Sequence, residues 1–179
     1  MSVYKVIYER ETELRSSRFE AAFAVDETSK VVLEKVGEEA EIAFTEEEIR
    51  RLRDASGVIF THNHPGGWKY TPEDPRHGGN SFSPHDIHLV CRAELAEIRV
   101  VTPRFRFSMR PSEDGWNEQY WHSTLWPIYH MTDAQVKNEL ADQALYGVIT
   151  PLEASARRFH TVWKRVANLL GLRYTMVEE

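Results

Sequence analysis

Val58-Ile59-Phe60-Thr61-His62-Asn63-His64-Pro65 reads as a short buried strand that ends in two histidines and is then turned by a proline. Alternate residues of a strand share a face, so His62 and His64 project to one side and Asn63 to the other. Farther on, Ser83-Pro84-His85-Asp86 reads as a helix start, with serine at the N-cap, proline at N1 and an acid at N3. Taken singly, the tetrapeptide says only that a helix begins, and the histidines are a polar pair at a strand end. Taken together, two imidazoles and a carboxylate suit a divalent ion such as zinc, and three protein ligands leave a fourth tetrahedral position for water. Such a site is catalytic in type rather than structural.

Working outward, the first two thirds of the chain alternate strand and helix patterns. Residues 19–25 are apolar and β-compatible, 26–30 are a turn signal, and 31–33 resume the strand, which predicts a hairpin. Residues 41–44 are expected as a third strand. Thr45-Glu46-Glu47-Glu48 then reads as an N-cap with acids in the first turn of a short amphipathic helix. The strand over 57–61 carries the histidines out at its C-terminal end, where α/β folds commonly place their chemistry. Residues 86–96 suit a helix packed on the sheet, 98–102 a strand, and 104–110, with alternating arginines, a strand with one wet face. From Pro111 onward, tryptophans and tyrosines crowd together and two helices are expected near 132–146 and 151–170, with Gly171 as a C-cap. The expected division is therefore a metal-binding domain over 1–110 and a helical extension over 111–179 packed on it. Trp121, Trp126 and Trp163 are read as fixing that extension to the core, in preference to a partner-binding patch.

Composition agrees with a soluble enzyme of this kind. The chain has 179 residues, 41% of them hydrophobic, enough for one good core with a helical appendage. Its net charge of −6 and lack of a lysine or arginine cluster disfavour nucleic-acid binding. Cys91 is the single cysteine, expected to be buried and not a ligand. Residues 1–10 lack the apolar core of a signal peptide and no run reaches membrane-spanning length, so a cytoplasmic protein is expected.

A strand ending in His-x-His-Pro, a loop, and Ser-x-x-Asp at a helix start resembles the JAB/MPN/JAMM metalloprotease family, over residues 19–110. Phe19-Glu20-Ala21-Ala22-Phe23-Ala24-Val25-Asp26 is similar to its RadC branch. The resemblance implies a cytidine-deaminase-like α/β fold, a mixed sheet flanked by helices. It also implies Zn2+ held by His62, His64 and Asp86, Glu20 as general acid/base, and Ser83 as the hydroxyl facing the oxyanion, with Glu34 the reserve candidate for the acid/base. The activity implied is a zinc-dependent peptidase or isopeptidase acting on a peptide or a ubiquitin-like protein tail. The alternatives are a catalytically silent binding or assembly protein and, ranked last, a DNA-processing factor. One departure stands out: the segment 66–82 is longer than the family's usual spacer. Its glycines and prolines predict an irregular flap beside the site, with Trp68 or Tyr70 over the cleft. His77, His85 and His88 are read as surface histidines.

Overall fold

A computed structural model describes residues 2–38 and 42–179. Six strands form one mixed sheet in the order β2-β1-β3-β4-β5-β6. The strands are β1 (Ala21–Val25), β2 (Val31–Val36), β3 (Ile59–Asn63), β4 (Glu97–Val101), β5 (Phe105–Arg110) and β6 (Arg173–Glu178). All neighbours are antiparallel except β3 and β4, which pair in parallel. A parallel pair needs a crossover, and here the loop after His64 and helix α3 (Pro84–Ala93) supply it. The expected class, α/β with helices flanking a mixed sheet, is what the chain adopts.

Period-two alternation divides the sheet into two faces. Ala21, Phe23, Val25, Ile59 and Val101 pack with Ile7 and Leu14 of an N-terminal helix, α1 (Val3–Arg15). Ala22, Ala24, Phe60, Ile98 and Val100 face the larger core beneath α2 (Glu46–Asp54), α3 and the C-terminal helices. Both α2 and α3 begin with a full capping box, Thr45 with Glu48 and Ser83 with Asp86.

Several expectations are corrected. Helix α1 is not foreseen by the apolar pattern because its buried stripe is Ile7, Glu11 and Leu14, with a charge at its centre. That charge is answered: Glu11 receives Arg99 at 2.5 Å, Arg106 at 2.6 Å and the Thr61 hydroxyl at 3.1 Å. The arginines of β5 are therefore not simply a wet face. Of the strand expected over 41–44, Glu41 lies outside the described residues, and Ile42 and Phe44 pack on the core without pairing.

The segment 111–179 is not purely helical. It holds α4 (Glu118–Tyr120), a π turn (Trp121–Leu125), α5 (Trp126–Leu145) and α6 (Pro151–Leu170), and then β6 adds an antiparallel edge to β5. The helix expected to start near Thr132 begins at Glu118, leaving Thr132 buried within α5. The wide π turn precedes Pro127, which cannot donate to the helical ladder and crowds the carbonyl of the preceding turn. Trp116, Trp121 and Trp163 are buried in the shared core. Trp116 donates to the Leu95 carbonyl at 2.6 Å and Trp163 to the Phe82 carbonyl at 2.7 Å, which fixes α6 directly against the start of α3. Among the described residues no helix is long and apolar enough to cross a membrane.

Candidate metal centre

His62 is the penultimate residue of β3 and His64 the first beyond it, both on the face that looks toward α3. Their Nε2 atoms are 3.1 Å apart. Asp86, in the first turn of α3, brings Oδ1 to 3.3 Å from His62 Nε2 and Oδ2 to 3.5 Å from His64 Nε2. Bonds of about 2.0–2.1 Å to a tetrahedral zinc set ligand atoms about 3.3 Å apart, so these spacings fit. Glu20 lies just before β1. In the β1–β3 register Ala22 faces His62, so extending it by two residues sets Glu20 opposite His64. Glu20, His62 and His64 each offer a ligand atom within 4.8 Å of the others. The structure thus gathers His62, His64, Asp86 and Glu20 at one place, from three separate stretches of chain. Glu34 is elsewhere, exposed on β2 and paired with Arg10.

The surrounding contacts favour metal ligation. His64 Nδ1 lies 3.0 Å from the Asn80 carbonyl, which can only accept, so this nitrogen carries a proton and Nε2 is left with its lone pair toward the cluster. His62 is 2% exposed and its Nδ1 is buried without a hydrogen-bond partner. Asp86 Oδ2 accepts the Ser83 backbone N–H at 2.6 Å, which orients the carboxylate and leaves Oδ1 facing His62. The helix start and the ligand reading of Ser83-Pro84-His85-Asp86 are therefore compatible, since one oxygen serves each. Burial works against charge on His64, yet the hydrogen bond and charge of Asp86, with Glu20 and the Asn80 carbonyl, raise its pKa to about 9. Burial likewise opposes the Asp86 carboxylate, but the two histidines hold it well below the ordinary range.

Asn63 points to the opposite face, as the alternation requires, and there it has a task that the sequence pattern does not reveal. Its Oδ1 accepts the Ala21 N–H at 2.7 Å and its Nδ2 donates to the Phe19 carbonyl at 3.0 Å. It thereby holds the backbone on both sides of Glu20.

Compared with protein-family models, curated proteins and solved structures, the chain matches none.

The site opens into a cleft of about 470 Å3 lined by Glu20, His64, Tyr70, Ser83, Asp86 and Phe159, among others. The 66–82 segment forms its rim, but as an ordered piece with two 3₁₀ turns, Pro65–Lys69 and Pro75–Gly78. Gly67 and Gly79 make that compactness possible. A Cβ on Gly67 would collide with the His77 carbonyl, and Gly79 has φ +73° with Thr102 packed against it. Tyr70 lines the cleft, whereas Trp68 turns away, donating to the Arg15 carbonyl at 2.9 Å and lying under Arg18. His77 belongs to the same scaffold, with Nδ1 3.1 Å from the Tyr70 carbonyl. His88 differs from the expectation of a surface histidine: it is half-buried beside Glu118 and His122. Cys91 is fully buried, and burial pushes its thiol up to about 12, which removes it as a ligand or nucleophile near neutral pH.

Proposed function

We propose that this protein is a zinc-dependent hydrolase of the JAB/MPN/JAMM kind, acting in the cytoplasm on a peptide or isopeptide bond such as that of a ubiquitin-like tail. The observation that carries the reading is the convergence of two imidazole Nε2 atoms and the Asp86 carboxylate beside Glu20 at the floor of an open cleft. The donor set, two nitrogens and an oxygen, is one that selects zinc-class ions over magnesium or calcium. Zinc bound there supplies Lewis acidity toward a carbonyl oxygen and brings the pKa of a water toward about 7.

The chain's own groups then have distinct parts. His62, His64 and Asp86 would hold the ion, and the Asn80 carbonyl and Ser83 N–H hold His64 and Asp86 in turn. Glu20, 8% exposed and facing the cleft, takes a proton from the attacking water and delivers it to the leaving amine. Ser83 Oγ accepts the Asp86 N–H at 3.2 Å, and its hydroxyl hydrogen stays available for the developing oxyanion.

The test begins with metal content, measured on protein that never met a nickel column. About one zinc per chain at this centre, lost in a His62→Ala/His64→Ala double variant, supports the reading. Glu20→Gln should keep that zinc and abolish cleavage in a screen of peptide and ubiquitin-like substrates. Retained turnover in Glu20→Gln sinks the catalytic assignment, and zinc content unaffected by the double variant sinks the metal centre.

A further inference from the structure

We propose that His88, Glu118 and His122 form a second divalent-metal site, of the zinc class, that fastens α3 to the C-terminal helical segment. The inference does not depend on the hydrolase reading.

The three side chains come from two elements far apart in sequence. His88 stands on α3, one turn after Ser83 to Asp86, and Glu118 and His122 stand four residues apart on the rod formed by α4 and the π turn, where residues at that spacing share a face. Each offers a ligand atom, and these lie within 4.8 Å of one another, with His88 Nε2 3.9 Å from Glu118 Oε1. That distance is too long for a hydrogen bond but requires only small side-chain rotations to close on an ion. The rings of His88 and His122 meet at 72° with centroids 5.6 Å apart, an edge-to-face arrangement.

Two independent observations indicate a ligand. His88 Nε2 is buried with no hydrogen-bond partner, although Glu118 and His122 both stand within reach of small rotations. A buried polar nitrogen left unanswered is uncommon and calls for an explanation such as an ion. Trp121 stacks on His88, with centroids 5.0 Å apart and planes 15° apart, and so holds the imidazole in the plane that aims Nε2 at the cluster.

Arg92 is the opposing charge. Its Nε lies 3.6 Å from Glu118 Oε1, but its short hydrogen bonds, 2.6 and 2.7 Å, go to Glu46, so Glu118 is not consumed by it. Two imidazoles and one carboxylate choose a zinc-class ion. Glu118 and His122 are exposed, so water completes the coordination, and this site binds more weakly than the buried centre at His62. An ion here would tie α3, which carries Asp86, to the segment that also contributes α6 to the cleft wall.

The test is a zinc titration of the metal-free full-length chain against a chromophoric chelator, for wild type, His122→Ala and Glu118→Gln. Both substitutions fall on exposed positions and leave the core intact. One more equivalent in wild type than in His122→Ala, with Glu118→Gln weakened, would support the site. Equal binding by wild type and His122→Ala would overturn it. Tryptophan fluorescence gives a local readout independent of counting. Ni2+ should quench Trp121 in wild type and in His62→Ala/His64→Ala, but not in His122→Ala; the same quenching in His122→Ala would refute the assignment. Loss of the equivalent at His62 alone, with the Trp121 response kept, would count against the hydrolase centre and not against this one.

Discussion

Replacing Asn63 by alanine should loosen the strand that presents Glu20 while leaving the metal ligands in place. The side-chain amide is 1% exposed and uses both ends, accepting from Ala21 N and donating to the Phe19 carbonyl. Asn63→Ala strands the buried Ala21 N–H, whereas the Phe19 carbonyl sits at an exposed residue and can turn to water. One orphaned buried donor costs about 1–3 kcal/mol. With a urea m-value of about 2 kcal/mol/M, that is a fall of roughly 1 M in the unfolding midpoint. Asn63→Asp should restore the acceptor for Ala21 N–H but place a buried carboxylate oxygen against the Phe19 carbonyl, so it should be no better than alanine. The assays are urea denaturation of the metal-free chain and zinc affinity of the folded chain. The expected pattern is a lowered midpoint with zinc affinity nearly unchanged, since His62 and His64 leave from the other face of β3. An unchanged midpoint in Asn63→Ala would refute the reasoning, and a collapse of zinc affinity would show that Asn63 supports the ligands rather than the Glu20 segment.

Proton release should accompany zinc binding. The folded pKa of His64, about 9, lies above its ordinary value near 6.5, so the stability it contributes to the metal-free chain is fully present below 6.5 and is lost as pH rises through 9. Because zinc must displace that proton, its affinity should climb by about tenfold per pH unit between these values, and calorimetry in buffers of different ionisation enthalpy should find close to one proton released; a pH-independent affinity would contradict the assignment. Arg99→Ala removes the cation that bridges Glu11 and Glu97 at 2.5 and 2.6 Å in a buried setting, and should destabilise the chain by about 3–5 kcal/mol in chemical denaturation, less if Arg106 and Arg110 compensate. Trp163→Phe keeps most of the ring but strands the Phe82 carbonyl, at a cost of about 1–3 kcal/mol seen as a lowered midpoint.

What the sequence discloses here follows from how local the determining physics is. The hairpin, the capped helices at Thr45 and Ser83 and the strand that ends in histidines depend on neighbours within a few residues, and all are present. The convergence of Glu20, His62, His64 and Asp86 is implied only by the family resemblance; the spacing alone names two histidines on one face and an acid at a helix start. Three features escaped for separate physical reasons. Helix α1 hides because Glu11 interrupts its apolar stripe, and its burial is affordable only through Arg99 and Arg106, which arrive from β4 and β5. Strand β6 hides because a six-residue segment with four exposed positions has no strong pattern until β5 offers it an edge.

The third omission, the pairing of His88 with Glu118 and His122, shows where sequence reading stops. Glu118 and His122 share a helix face in any reading, but a His88 contact depends on α3 lying against the C-terminal rod, and that contact is set by Trp121 stacking on His88 and Trp116 bonding to Leu95. The tryptophans read as packing residues are therefore also what bring the ligand set together. The same holds at the first centre, where Trp163 bonds to the Phe82 carbonyl one residue before Ser83 and α6 forms the cleft wall with Phe159. The C-terminal segment, with its helices, its π turn and an edge strand in the sheet, is structurally part of both sites. Removing residues 111–179 should consequently expose the core that Trp163 and Leu172 fill, and the truncated chain should fail to fold rather than survive as a smaller metal-binding domain. A folded, zinc-binding fragment ending at Arg110 would show that the C-terminal segment is an accessory after all.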